Sequence, residues 1–235
     1  MTARLTITAD SLNTVDLFRG LPATDRAAIA PRLRGMRHAA GHLIVTQLDR
    51  HNEVFFILSG TVRASFHGVA GKDVQFRDQH AGEMFGELSA IDGQPRSAEV
   101  IALSEVFLAA ASAEDFLAIA AEHPVIARRV LNRLAALVRA LSERVVEFST
   151  LGVNNRIHGE LLRLAREFGV ADNEALIKPA PTHADIASRV STHREAVTRE
   201  IAALARCGLL ERGRGMLRIR DVVRLETLVN DVARD

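Results

Sequence analysis

The stretch FGELSAIDGQPRSAEV, residues 85 to 100, gathers the features of an anion site into one short run. A short helix opening near Glu87 would aim the free amides of its first turn at an anion, with Gly86 permitting close backbone approach. Arg96 supplies a charge whose planar fork matches two phosphate oxygens, Ser97 adds a hydroxyl, and Pro95 stiffens the approach to Arg96. A carboxylate beside a phosphate is out of place unless it accepts from a neutral donor; a sugar hydroxyl on Glu87 would satisfy it. An Arg96–Glu87 ion pair that merely joins two loops uses the same residues and is the plainer alternative. No nucleophile, metal cluster or second carboxylate pair accompanies them, so an acid–base pair of Glu87 and Asp92 is set aside and the chain is not read as an enzyme.

Upstream, from Gly41 to about Ala111, short runs such as VFFILSG, TVRASF and DVQFRD are separated by Gly60, Gly68, Gly71 and Gly82, the texture of a compact antiparallel β unit. Ahead of it, Leu17, Leu21, Ile29 and Leu33 recur at helical spacing but are interrupted by Pro22 and Pro31, which predicts a cap of short helices. Downstream, VIARRVLNRLAALVRALSERVVEFSTL (residues 125 to 151) has no Gly or Pro, and Ala127, Leu131, Leu134, Val138, Leu141, Val145 and Phe148 alternate spacings of four and three. That is a heptad seam, and its pairing with a second copy is the expectation; a helix packed on its own β unit is the alternative. Gly152 then breaks the pattern and predicts a hinge before a further helix, NRIHGELLRLAREFG.

Between Thr182 and Leu204, THADIASRVSTHREAVTREIAAL carries Thr182-x-x-Asp185 and Thr192-x-x-Glu195 ten residues apart, both resembling capping boxes. One short helix, a tight turn and a second helix follow, locked by Ile186, Ala187, Val190, Val197 and Ile201. Arg194, Glu195, Thr198 and Arg199 fall opposite Val197 and Ile201, where such a helix enters the major groove; arginine reads guanine and glutamate accepts from cytosine. A solvated face with a Glu195–Arg199 pair is the plainer alternative, but residues 182 to 220 hold eight arginines against four acids, while the whole chain is only +1. CGLLERGRGMLRIRD then predicts two strands around Gly213 and Gly215, a wing with Arg212 and Arg214 at its tip. Thr182 and His193 complete the candidate DNA-contacting set, and His183 also brackets the motif.

The run from Phe85 to Ala98 resembles the phosphate-binding cassette of cyclic-nucleotide-binding domains, shared by the catabolite activator family and the regulatory subunits of cyclic-AMP-dependent kinase. Phe85, Gly86, Glu87, Leu88, Pro95, Arg96, Ser97 and Ala98 all match, and FFILSG and the Gly41 turn resemble that family's β-roll. HREAVTREIAALARCGLLE resembles the recognition helix and wing of the same catabolite activator family, with Arg194, Glu195 and Arg199 in its Arg-Glu-x-x-x-Arg pattern. One departure is Ser191, where many such turns carry glycine. The resemblance implies Glu87 on the ribose 2′-hydroxyl, Arg96 with Ser97 on the cyclic phosphate, and base contacts by the three recognition residues. It also implies an adenine-contacting pair of hydroxyls at 141 and 142; Ser142 matches and Leu141 departs, so cyclic AMP is favoured and cyclic GMP, touched by Ser97, is the alternative.

The expected class is α+β: an N-terminal β-roll with helical cap over residues 1–122, a dimerisation helix and hinge over 123–152, and a winged helix-turn-helix over 153–235. The expected partners are a cyclic nucleotide, a second copy as homodimer, near-palindromic double-stranded DNA and RNA polymerase. A same-fold regulator with a different effector, or none, is the alternative. Composition bounds the rest. The 30 basic and 29 acidic residues nearly cancel, so any polyanion site is local. The single Cys207 cannot form an intrachain disulfide or a thiolate zinc site, and the nine histidines are scattered along the chain, so no metal is expected. No apolar run approaches the roughly 20 residues of a membrane span, and a cytoplasmic setting is expected.

Overall fold

The computed structural model describes residues 6–67 and 73–231; the turn residues Gly68 and Gly71 lie outside them. The chain forms two compact units that divide between Leu137 and Val138. In chain order the first unit contains α1 (Ala9–Leu12), α2 (Ala23–Ile29), a 3₁₀ turn at Ala30–Arg32, β1 (Arg34–His38), β2 (Leu43–Val45) and β3 (Val54–Ser59). There follow β4 (Thr61–His67), β5 (Asp73–His80), β6 (Met84–Phe85), α3 (Glu87–Asp92), β7 (Glu99–Ala102), β8 (Val106–Ala111), α4 (Ala113–Glu122) and the start of α5 (Pro124–Thr150).

Two four-stranded antiparallel sheets, ordered β1-β8-β3-β6 and β2-β7-β4-β5, make the roll. Strand β3 shows why the sequence folds this way. Successive side chains point to opposite faces. Phe55 and Ile57 therefore enter one core, between the sheets, with Val62, Phe85, Val100 and Leu108. Val54 and Phe56 enter another, where the cap residues Leu12, Val15 and Phe18 meet Phe116, Ile119, Ile126 and Val130. A strand apolar on both faces, VFFIL, is thus the wall shared by both cores, and the proline-broken helices cover it.

Helix α5 has two apolar faces with different fates. Ile126 and Val130 are buried in the first unit's core. Leu131, Val138 and Val145 of the heptad seam are 65%, 61% and 64% exposed, and Leu141 and Phe148 are exposed as well. The helix does pack on its own β unit, and the exposed seam residues form a second apolar face.

The second unit continues with α6 (Val153–Phe168), β9 (Val170–Ala171), β10 (Glu174–Ile177), α7 (His183–Arg189), α8 (Arg194–Arg206), β11 (Leu210–Gly213), β12 (Met216–Ile219) and α9 (Val222–Asp231). Its sheet runs β11-β12-β10-β9, all antiparallel. Ile157, Leu161, Ile186, Val197, Ile201, Leu217, Ile219 and Leu225 form its own core. The wing is β11 and β12, closed by Arg214 and Gly215, whose φ of +70° takes the left-handed place of the turn. The sequence reading lacked the β9–β10 hairpin and α9. The hairpin turns on Asp172 and Asn173, both at positive φ, and Asn173 then accepts from the Val222 and Val223 amides that open α9. An Asx pair between Val170-Ala171 and Glu174-Ala175 is a short signal, and the strands it joins are too short to show alternation.

Candidate functional site

The cassette folds as a strand end, a left-handed glycine and a helix of six residues. Gly86 caps α3 at φ +85°, and a Cβ there would stand 2.6 Å from Arg96 Nη1 and 2.7 Å from the Glu53 carbonyl oxygen. Only glycine fits. The close approach it permits in this structure is that of the Arg96 guanidinium.

Arg96 is 3% exposed. Its Nη1 donates to the Gly86 carbonyl at 3.0 Å and its Nη2 to the Glu53 carbonyl at 2.7 Å, while Nε is buried with no acceptor. The guanidinium carbon lies 5.7 Å from the ring centre of Phe55, which stacks on Phe85. Burial pulls the Arg96 pKa down, against the upward pull of Glu53, Asp49 and Glu87. A buried cation is ordinarily neutralised at short range. Here no carboxylate stands within ion-pair distance of it among the described residues, so the Arg96–Glu87 pair considered from the sequence does not form; two neutral carbonyls and one orphaned N–H stand in its place. A bound phosphate fits that deficit in sign.

Glu87 is also buried, and its cation is elsewhere. Arg133 on α5 donates from Nε to Glu87 Oε1 at 3.3 Å and from Nη2 to the Met84 carbonyl at 2.5 Å. Local spacing assigns Arg133 no role, because a contact across 46 residues leaves no trace in it. Ser97 is exposed beside Arg96, Ala98 is half-buried and Leu88 is exposed. Leu141 and Ser142 are exposed on α5, and the Ser142 hydroxyl donates to the Val138 carbonyl of its own helix at 2.9 Å.

In the second unit, Thr182 caps α7 with the expected box: its Oγ1 accepts from the Asp185 amide at 3.1 Å, and Asp185 Oδ2 accepts from the Thr182 amide at 2.9 Å. The second box does not form. Helix α8 starts at Arg194 with His193 as its N-cap and no side-chain cap, because the Thr192 amide is already spent on the Ala187 carbonyl in the turn. The turn angle survives without glycine: Ser191 takes φ +50°.

Val197 and Ile201 are buried, and His193, Arg194, Glu195, Thr198 and Arg199 are exposed, as the helical spacing predicts. Arg194, Arg199, Arg206, Arg212 and Arg214 are exposed and, among the described residues, form no ion pair; Glu195 and Arg199 do not pair with each other. Arg189, Arg218 and Arg220 are instead held by Glu160, Glu174 and Glu211. His183 is half-buried and bonded to the Thr198 hydroxyl at 2.7 Å; burial first, then Arg212 and Arg194, pull its pKa down. Five uncompensated guanidiniums on α8 and the wing form a footprint for a polyanion.

Residues 36–123 match the cyclic nucleotide-binding domain family, and residues 155–228 match the Crp-like helix-turn-helix domain family. A nucleotide-binding roll followed by a winged helix-turn-helix defines a transcription regulator, and not an enzyme. The chain is 29% identical to the Cyclic AMP receptor protein of Thermus thermophilus over 92% of its own length and 98% of that protein's. It is 26% identical to the CRP-like cAMP-activated global transcriptional regulator of Mycobacterium tuberculosis, over 82% of this chain and 86% of the other. The chain belongs to the catabolite activator, or cyclic AMP receptor protein, family. FixK2 from Bradyrhizobium japonicum shares the fold with a TM-score of 0.72 at 18% identity, covering 83% of this chain and 96% of that one. No helix among the described residues is long and apolar enough to cross a membrane.

Proposed function

We propose that this regulator is a cytoplasmic homodimer whose sequence-specific DNA binding responds to a cyclic nucleotide, cyclic AMP ahead of cyclic GMP. The observation that carries the nucleotide reading is the Arg96 guanidinium, buried without a carboxylate partner and with one N–H unsatisfied. The cyclic phosphate lies against Arg96 and Ser97, Glu87 accepts from the ribose 2′-hydroxyl, and Phe85, Gly86, Leu88 and Ala98 line the seat. Ser142, beside Leu141, supplies the base contact. The exposed seam of α5 pairs with its counterpart on a second copy. DNA is read by Arg194, Glu195, Thr198 and Arg199, while Thr182, His193, Arg212 and Arg214 hold phosphates. Nucleotide binds one state of the dimer better than the other; in that state the recognition helices stand about one DNA turn, roughly 34 Å, apart on a near-palindromic site, where RNA polymerase is met.

Calorimetric titration of wild type and Arg96→Ala with cyclic AMP and with cyclic GMP tests this reading. Saturable binding by wild type, weakened at least about 30-fold in Arg96→Ala, is the expected result, since a buried charged donor contributes about 1.5–3 kcal/mol per bond. Absence of saturable binding of either nucleotide would assign the same fold to a different effector or to none, the reading that the Leu141 departure favours.

A further inference from the structure

Within the second unit, the turn of the helix-turn-helix is held from behind by two arginines that no DNA-reading role accounts for. Arg144, near the end of α5, donates from Nη1 to the Arg189 carbonyl at 3.1 Å. Arg156, in the first turn of α6, donates from Nε to the Val190 carbonyl at 3.1 Å and from Nη1 to the Leu151 carbonyl at 3.0 Å. Arg189 and Val190 are the last residue of α7 and its C-cap, and Ser191, at φ +50°, follows them. The Phe148 ring centre is 6.0 Å from one guanidinium carbon and 5.5 Å from the other.

The same residues are tied across the Gly152 break. Glu160 is 3% exposed and accepts from Arg144 at 3.4 Å, Arg163 at 3.0 Å and Arg189 at 3.2 Å, while Arg163 also reaches Glu147 at 2.7 Å. Carbonyls at a helix C-terminus lack intrahelical donors, so two guanidiniums on consecutive ones fix both the end of α7 and the direction in which the chain leaves it. That direction sets the angle of α8. A left-handed serine is a conformation that persists only where its surroundings over-determine it.

We propose that Arg144 and Arg156 are positioning residues for DNA reading: they set the pitch of the recognition helix by gripping the turn that precedes it. The proposal rests on the reading of α8 as the DNA-reading helix. Neither guanidinium is free for phosphate, so their loss is expected to show in sequence preference and not in general affinity for DNA.

The test uses the full chain, with whichever cyclic nucleotide binds, and a pool of duplexes randomised at their centre. Duplexes enriched by the wild type are compared with the unselected pool for wild type, Arg144→Lys and Arg156→Lys across a salt series. Lysine keeps the charge but cannot bridge two acceptors with a fixed fork. The expected result is a preference for the enriched duplexes cut about 10-fold, with affinity for the unselected pool within about 2-fold and an unchanged salt slope. Hydrogen exchange at the Thr192 amide is expected to accelerate while the β11–β12 hairpin stays protected. Phe148→Leu, which spares both donors and their acceptors, is expected to move both readouts the same way by less, and serves if a lysine variant fails to fold. Variants that keep the wild-type preference and Thr192 protection overturn the proposal, as does a parallel fall in both affinities with a shallower salt slope. A wild type that enriches no duplex sinks the DNA-reading assignment and this inference together.

Discussion

Two residues carry most of what is unusual in this chain, and they differ in how openly the sequence displays them. Arg96 was legible because its neighbours, Gly86, Glu87 and Ser97, lie within a dozen positions and each restricts the chemistry of the others. Its resting partners were not legible: Glu53 contributes a carbonyl, which any residue could, from 43 positions away. Ser191 was legible only as a departure from glycine, and the structure resolves it by retaining the left-handed angle with serine. A β-branched side chain pays most in that conformation, so Ser191→Ile is expected to lower unfolding stability by about 1–2 kcal/mol in urea denaturation. An unchanged midpoint would mean that the turn relaxes to another conformation. The second capping box failed for a local reason as well, because Thr192 sits inside the turn one residue ahead of the true cap.

Periodicity determined how well each element could be read. The long helix α5, the pair α7 and α8, and the wing all announced themselves through spacing that persists over a turn or more, whereas β9, of two residues, offers no period to detect. Helix α5 is the most informative, since the exposed seam residues Leu131, Val138, Leu141, Val145 and Phe148 mark one face while Ile126 and Val130, with Leu134 packed beside them, mark another. An apolar stripe that exposed is stabilised by a matching one. Val138→Asp places a charge in the middle of the seam, and sedimentation velocity is expected to show a shift from dimer to monomer at concentrations where wild type stays paired. The variant should keep its far-UV circular dichroism, because Val138 contributes nothing to any of the three cores. A wild type sedimenting as a monomer at all concentrations would remove the dimer from the proposed function.

At the scale of the whole molecule, the change in texture from short glycine-separated runs to helical spacing suggested three spans, whereas the two compact units divide at Leu137 and Val138, inside an uninterrupted helix that local spacing does not mark. Each unit has a core of its own, so calorimetric unfolding is expected to resolve two transitions, of which the cyclic nucleotide raises chiefly the one belonging to the roll, where Glu87, Arg96 and Ser97 lie. At a nucleotide concentration of about 100 times Kd, that unit gains about 2.7 kcal/mol. Both transitions moving together would show the units to be one cooperative block. The bare stripe on α5 also bears on how a cell would use the switch. In the proposed dimer, pairing would make the DNA-binding species a second-order function of chain number while the pool is mostly unpaired, so a modest fall in synthesis would thin that form disproportionately. Abundance would then become an input in its own right, read alongside the proposed small molecule.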